Sequence, residues 1–189
     1  MEALLTSMAV VALAEIGDKT MLLAIVLAAK LRKPWQIIAG IFAATIVNHS
    51  LAALVGSEVA GLVDAPWFRI AVAIGFIAMG LWTLIPDKLD DGGFKQRGGV
   101  FLTTTIAFFL VEMGDKTQVA TIALGAQFHS VMAVAAGTTL GMMIANVPAV
   151  FLGEELVKRV SLNATRIAAA SLFVVLGLWQ LASALGWLG

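Results

Sequence analysis

Glu15-Ile16-Gly17-Asp18-Lys19-Thr20 recurs as Glu112-Met113-Gly114-Asp115-Lys116-Thr117, and each copy is set inside a long apolar run. The offset is 112 − 15 = 97, and it extends outward from the hexapeptide. It pairs Gly40 with Gly137, Gly56 with Gly153, Glu58 with Glu155 and Arg69 with Arg166, and it aligns Gly80-Leu81-Trp82 with Gly177-Leu178-Trp179. Unrelated apolar helices share composition but do not hold one register through three segments. The chain therefore reads as an internal duplication.

The setting of the motif is a bilayer. Of 189 residues, 60% are hydrophobic and 13% charged, with a mean hydropathy of +0.97; soluble domains carry about 25% charged residues. Each half offers three apolar segments, roughly 3–29, 35–63 and 67–85, then 100–128, 131–157 and 165–188. Each is long enough for a hydrocarbon core of about 30 Å. The predicted fold is an all-α membrane protein of six transmembrane helices, built as two three-helix repeats at residues 1–85 and 100–189. A polar, Gly-rich linker at 86–99 joins them on the cytoplasmic side. The first fifteen residues lack the basic start of a signal peptide, and their counterpart lies in mid-chain, so they are expected to remain as membrane helix.

Charge placement orients the repeats. Of the 12 Lys and Arg, nine fall on one side: Lys30, Arg32, Lys33, Lys88, Lys95, Arg97, Lys158, Arg159 and Arg166. Arg69 alone falls opposite, and Lys19 and Lys116 lie within the apolar runs. The basic side is cytoplasmic by the positive-inside rule, which leaves both termini extracytoplasmic in a multi-pass inner (plasma) membrane protein. Three helices per repeat invert the second half, giving the inverted-topology architecture of secondary transporters.

Absences narrow the chemistry. Cys is missing, which removes thiolate metal sites and thiol catalysis. Zero net charge without a basic stripe gives no nucleic-acid signature, and the two His have no metal-ligand spacing. An intramembrane aspartyl protease would place Gly where Glu15 and Glu112 stand, and Lys19 and Lys116 would disturb a shared-proton dyad. The chain does not read as an enzyme.

Three charges in five residues are costly in a bilayer, at about 2.5–3.5 kcal/mol for each Arg, Lys or Asp at a helix centre. Glu15 and Asp18 share one face of a continuous helix, as do Glu112 and Asp115, and Lys19 and Lys116 lie one turn after the glutamates to balance part of the charge. Inversion brings the copies together near the midplane, where repeat-built transporters hold their substrates. Four carboxylates and two ammonium groups then leave a formal −2, which one divalent cation cancels. Oxygens from Glu15, Asp18, Thr20, Glu112, Asp115 and Thr117 suit Ca²⁺, Mn²⁺ or Mg²⁺ rather than soft metals. Asn48, Asn146 and Gln118 are further oxygen donors, and Gly17 and Gly114 can loosen the helix so that carbonyls join them. Without metal, four poorly solvated carboxylates cannot all stay ionised, so protons and a divalent cation compete for the same oxygens. Competition at a site reached alternately from two sides is the minimal physics of metal/proton antiport.

Plainer roles stand beside these. The motifs alone as helix-pinning salt bridges would leave two acids in excess. Asn48, His49 and Asn146 serve equally well as interhelical hydrogen-bonding residues, and a proton relay at His49 rests on position alone. Glu58 and Glu155 read as solvated helix-end carboxylates, with a gate as the second reading. Trp35, Trp67, Trp82, Trp179 and Trp187 lie near segment ends and read as interfacial anchors.

Two copies of Glu-x-Gly-Asp-Lys-Thr, on the first and fourth of six expected helices, closely resemble the UPF0016 family, whose eukaryotic members are the Golgi GDT1 (TMEM165-like) type with the signature Glu-x-Gly-Asp-(Lys/Arg)-(Thr/Ser). The resemblance covers essentially the whole chain, and neither copy departs from the signature. It implies a cation exchanger for Mn²⁺ and in some members Ca²⁺, working against protons, with manganese export as the role of the compact bacterial type. It assigns Glu15, Asp18, Lys19 and Thr20, and Glu112, Asp115, Lys116 and Thr117, to the site. The expected transporter holds no permanent cofactor; its partners are the lipid bilayer, the transported divalent ion and H⁺. It acts as a monomer or homodimer. A Ca²⁺/H⁺ antiporter is the alternative, and a passive divalent channel a third reading.

Overall fold

The computed structural model describes residues 1–62, 66–85, 98–153 and 161–187, and among them every regular element is a helix. These are α1 (Glu2–Glu15), α2 (Lys19–Leu31), α3 (Pro34–Leu62), α4 (Pro66–Thr83), α5 (Val100–Glu112), α6 (Lys116–Phe128), α7 (Val131–Leu152) and α8 (Leu162–Ala184). Among the described residues, three stretches are long and apolar enough to cross a membrane: Pro34–Val59, Val131–Leu152 and Asn163–Ala184. Trp67–Thr83 and Val100–Glu112 are apolar and shorter. The expected basic positions Lys88, Lys95, Arg97, Lys158 and Arg159, the linker up to residue 97, and Glu155 lie outside the described residues.

The continuous helices expected over 3–29 and 100–128 are each cut in two at the motif. Gly17 has φ +87° and Gly114 φ +76°, in the left-handed region where a Cβ costs about 1–2 kcal/mol. Ile16 and Met113 before them, and Asp18 and Asp115 after them, are extended. Each break is closed by one turn bond, from Asp18 N–H to the Glu15 carbonyl (3.0 Å) and from Asp115 N–H to the Glu112 carbonyl (3.2 Å). The pieces are 14, 13, 13 and 13 residues long. At 1.5 Å per residue each is about 20 Å, too short to cross alone. Their far ends also match: α2 and α6 end on Arg32 and His129, 97 apart, both in the left-handed region and donating to the carbonyls of Ala28 and Gly125.

The surface is inverted relative to a soluble bundle. Phe42, Ile46, Leu51, Leu140 and Ile144 face outward, while Ser7, Thr45, Asn48, His49, Thr104, Thr138 and Asn146 are buried. In lipid the apolar effect gives helices little reason to associate, so close approach of small residues must do it. The repeat supplies that in pairs. A Cβ added at Gly40 (α3) would lie 2.7 Å from the Thr104 Cβ on α5, and one at Gly137 (α7) 2.4 Å from the Leu4 carbonyl on α1. At the α4–α8 crossing, Gly80 faces the Ala170 carbonyl and Gly177 faces that of Ala73.

These contacts run between the halves. The most extensive interfaces are α4 with α8, α1 with α7, and α3 with α5, α6 and α7. Helices consecutive in one half touch each other little. The two halves of the chain are thus interlocked, and each half's broken helix lies against the other half's long helix. All five Trp are exposed, which fits interfacial anchoring, and Trp35 also meets Phe151 edge-on at 5.5 Å.

Candidate functional site

The two breaks deliver the motif residues to one place. Asp18 and Asp115 stand at the N-caps of α2 and α6, where Asp normally accepts a bond from its own helix's amides. Neither does so. Instead each lysine reaches across to the other copy: Lys19 Nζ is 3.1 Å from Asp115 Oδ1, and Lys116 Nζ is 3.8 Å from Asp18 Oδ1. The expected pairing of Lys19 with Glu15, and of Lys116 with Glu112, is therefore corrected to a crossed pairing. The reason is local: the glycine break ends the helix between each glutamate and its lysine, so they no longer share a face.

One of the threonines also crosses. Thr20 and Thr117 both donate to Glu15, Thr117 at 2.5 Å from the other half. Glu112 receives neither. Both its carboxylate oxygens are buried without a hydrogen-bond partner among the described residues, and its Oε1 lies 3.7 Å from His49 Nε2. The charges of Glu112 and Asp115 act on Glu15, and those of Asp115 and Lys19 act on Glu112. Glu15, Asp18, Glu112, Asp115, Thr20, Thr117 and Lys116 are all buried, in contrast to Lys19, which is partly exposed.

The remaining candidates divide. Asn48 donates to the Phe109 carbonyl at 3.1 Å and so ties α3 to α5 one turn before Glu112. Asn146 donates to the Met142 carbonyl on its own helix, leaving its Oδ1 buried without a hydrogen-bond partner among the described residues. Gln118 accepts from Gly114 N–H at 2.7 Å and fixes the second break. Glu58 is exposed near the end of α3.

Some neighbours of the site were not anticipated. Lys116 Nζ also donates to the Ile85 carbonyl at 3.3 Å and sits 5.9 Å from the centre of the Trp82 ring. A small pocket of about 10 Å³ beside Asp18 is lined by Ala14, Ile16, Gly17, Thr83, Lys116 and Arg166. Thr83, Ile85 and Arg166 are distant in sequence from either motif, so spacing alone gave no sign of them.

Among the described residues, no three acidic or His side chains converge closely enough to hold one ion. The arrangement has the donor set of a hard-cation site, with each aspartate engaged by a lysine. Half-helix ends meet here as well: the last carbonyls of α1 and α5 and the first amides of α2 and α6 lack partners within their helices.

Comparison with known proteins agrees with this chemistry. The family profile described as "Divalent cation/proton antiporter GDT1" matches residues 3–91 and again 100–187. The chain is 46% identical over 179 residues to a Vibrio cholerae protein named "Putative manganese exporter", covering 94% of this chain and 90% of that one. It is 26% identical to GDT1-like protein 5 of Arabidopsis thaliana, covering 93% of each, and 27% identical to GDT1-like protein 3 of Oryza sativa subsp. indica, covering 92% of this chain and 71% of the relative. No solved structure matches. The chain belongs to the GDT1 family of divalent cation/proton antiporters.

Proposed function

We propose that the protein is a secondary active transporter that exports Mn²⁺ from the cytoplasm in exchange for protons, at one site made by both motif copies near the membrane midplane. The observation that carries this is the crossed pairing of Lys19 with Asp115 and Lys116 with Asp18. Each lysine is a cation tethered to a carboxylate that a divalent ion needs. Binding of Mn²⁺ to Glu15, Asp18, Thr20, Glu112, Asp115 and Thr117, with Asn48, Asn146 and Gln118 as further oxygen donors, must displace the ammonium groups. Protonation of the carboxylates discharges the ion in turn. Charge balance is then kept by exchange among lysine, proton and metal, with no state holding four bare carboxylates in a poorly solvated site.

The six-span reading follows from pairing the half-helices. α1 with α2, and α5 with α6, each make one crossing broken at the site, and α3, α4, α7 and α8 make the other four. Residues 1–85 and 100–189 form the two inverted repeats, with 86–99 as the cytoplasmic linker. The family profile matching in two stretches supports the duplication, and the nine-to-one bias of basic residues supports both termini facing outward from an inner membrane. In that orientation the cavity beside Asp18 lies toward the cytoplasmic ends of α4 and α8, with Lys116 in its wall.

The Vibrio relative's name favours Mn²⁺ as the exported ion. Ca²⁺/H⁺ exchange is the second reading, because the donor set is dominated by hard oxygens. A passive channel fits less well, since binding of the ion by several carboxylates at once would retain it too long for rapid conduction. The test is uptake by proteoliposomes holding a pH-sensitive dye, with Mn²⁺, Ca²⁺ and Mg²⁺ in competition. Mn²⁺ flux accompanied by opposite proton movement is expected. Mn²⁺ flux without proton movement at any imposed pH gradient would remove antiport, and Ca²⁺ outcompeting Mn²⁺ would select the second reading.

A further inference from the structure

We propose that His49 is a nitrogen ligand to the transported ion and sets the preference of the site for Mn²⁺ over Ca²⁺ and Mg²⁺; this deepens the carboxylate-site reading above and rests on it. His49 is fully buried on α3, and neither ring nitrogen has a hydrogen-bond partner among the described residues. Buried polar rings are almost always satisfied, so an unsatisfied one beside a binding site asks for an occupant. Its Nε2 faces Glu112 Oε1, whose carboxylate is equally without partners.

The separation of 3.7 Å is too long for a hydrogen bond. It is the spacing of two atoms that bind one ion: at about 2.1–2.4 Å from each, the ion subtends an angle of about 100–125°. Ca²⁺ and Mg²⁺ take oxygen ligands; Mn²⁺ also favours oxygen, but as a first-row transition ion it accepts an imidazole nitrogen more readily than either. One nitrogen among carboxylates therefore shifts the balance toward Mn²⁺. It would not discriminate against Fe²⁺ or Zn²⁺, which rank above Mn²⁺ on such donors.

The repeat sharpens the point. Asn146 occupies the matching position on α7, since 49 + 97 = 146. Its Nδ2 is held by Met142, so the atom left without a partner is the amide oxygen Oδ1. One half thus offers a nitrogen where the other offers a hard oxygen. The duplicated motifs are the same in their ligand residues, and the selectivity arises outside them.

The experiment uses the full chain in nanodiscs, loaded with Mn²⁺ and measured by pulsed electron paramagnetic resonance for nitrogen coupled to the ion. The background is His129→Gln, because His129 is the other of the two histidines and is exposed. Histidine nitrogen coupling is expected, changing on ¹⁵N-histidine labelling and disappearing in His49→Asn. Competition binding should show the Mn²⁺-to-Ca²⁺ preference falling about tenfold in His49→Asn, with Ca²⁺ affinity retained. Bound Mn²⁺ with no histidine nitrogen coupling, or an unchanged ion preference in His49→Asn, overturns the inference while leaving the carboxylate site standing. Should His49→Asn fail to fold, the labelled protein with His49 intact still decides. Absence of Mn²⁺ binding in that protein overturns the carboxylate site and the inference together.

Discussion

Lys116 and Lys19 have the same chemical role in unequal surroundings. The Lys116 side chain is 7% exposed and its partner Asp18 5%, whereas Lys19 is 26% exposed. Removing one partner of a buried ion pair costs about 3–5 kcal/mol, because the other charge stays behind. Lys116→Gln should therefore lower the thermal stability of the metal-free protein more than Lys19→Gln, where water reaches the pair. Saturating Mn²⁺ should restore a larger share in Lys116→Gln, since the ion takes the place of the lost cation. Differential scanning fluorimetry with and without Mn²⁺ checks both, and equal responses of the two variants would break the tethered-cation argument. Asp18→Asn and Asp115→Asn should each abolish Mn²⁺ transport in folded, inserted protein; survival of manganese tolerance in a sensitive host would refute the carboxylate site. The candidate residues stood out in the sequence because charge is expensive in an apolar run. Their partners did not. The i to i+4 spacing favoured Glu15 with Lys19, and only the left-handed Gly17 between them redirects Lys19 to the opposite copy.

At the scale of elements, two kinds of glycine separate the site from the scaffold. Gly114 sits in a break with open space around it, so an added Cβ meets nothing within 4 Å. Gly114→Ala carries only a conformational cost of about 1–2 kcal/mol, and it favours continuing α5 into α6. Rotating Asp115 off the N-cap would part it from Lys19. The expected outcome is folded protein with little Mn²⁺ flux. Gly56 is the opposite case: its Cβ would fall 2.1 Å from the Ile122 carbonyl, forcing α3 and α6 apart. Gly56→Ala should reduce the yield of folded protein, with flux falling only in proportion. Flux per folded molecule, from size-exclusion yield and proteoliposome uptake, distinguishes them. Both glycines stood in plain view among 18. Helical periodicity separates neither, because it reports which face is apolar and says nothing of where the backbone turns left-handed.

At the scale of the whole molecule, the packing does not follow the two halves that the sequence offset marks. The sequence offset pairs the helix ends at Arg32 and His129 and the close-approach glycines Gly40 with Gly137 and Gly80 with Gly177, but not Gly56 with Gly153, which lies in open space at φ +56°; the main interfaces join one half to the other. α1 finds its partner in α7, α5 in α3, and α4 in α8. A half expressed alone would leave these small-residue faces, and a lysine and an aspartate without their crossed partners, facing lipid. Burying such charge unpaired in hydrocarbon is costly, and lipid offers no packing to replace the glycine contacts. Residues 1–85 and 100–189 produced separately should each be degraded or aggregate. Produced together, they should co-purify and recover Mn²⁺ transport, since only the linker is cut and every crossed contact can re-form. Two stable halves that purify alone would contradict the interlocked reading. A reconstituted pair that regains flux only when both Lys19 and Lys116 are present would tie assembly to the same crossed pairs that close the site.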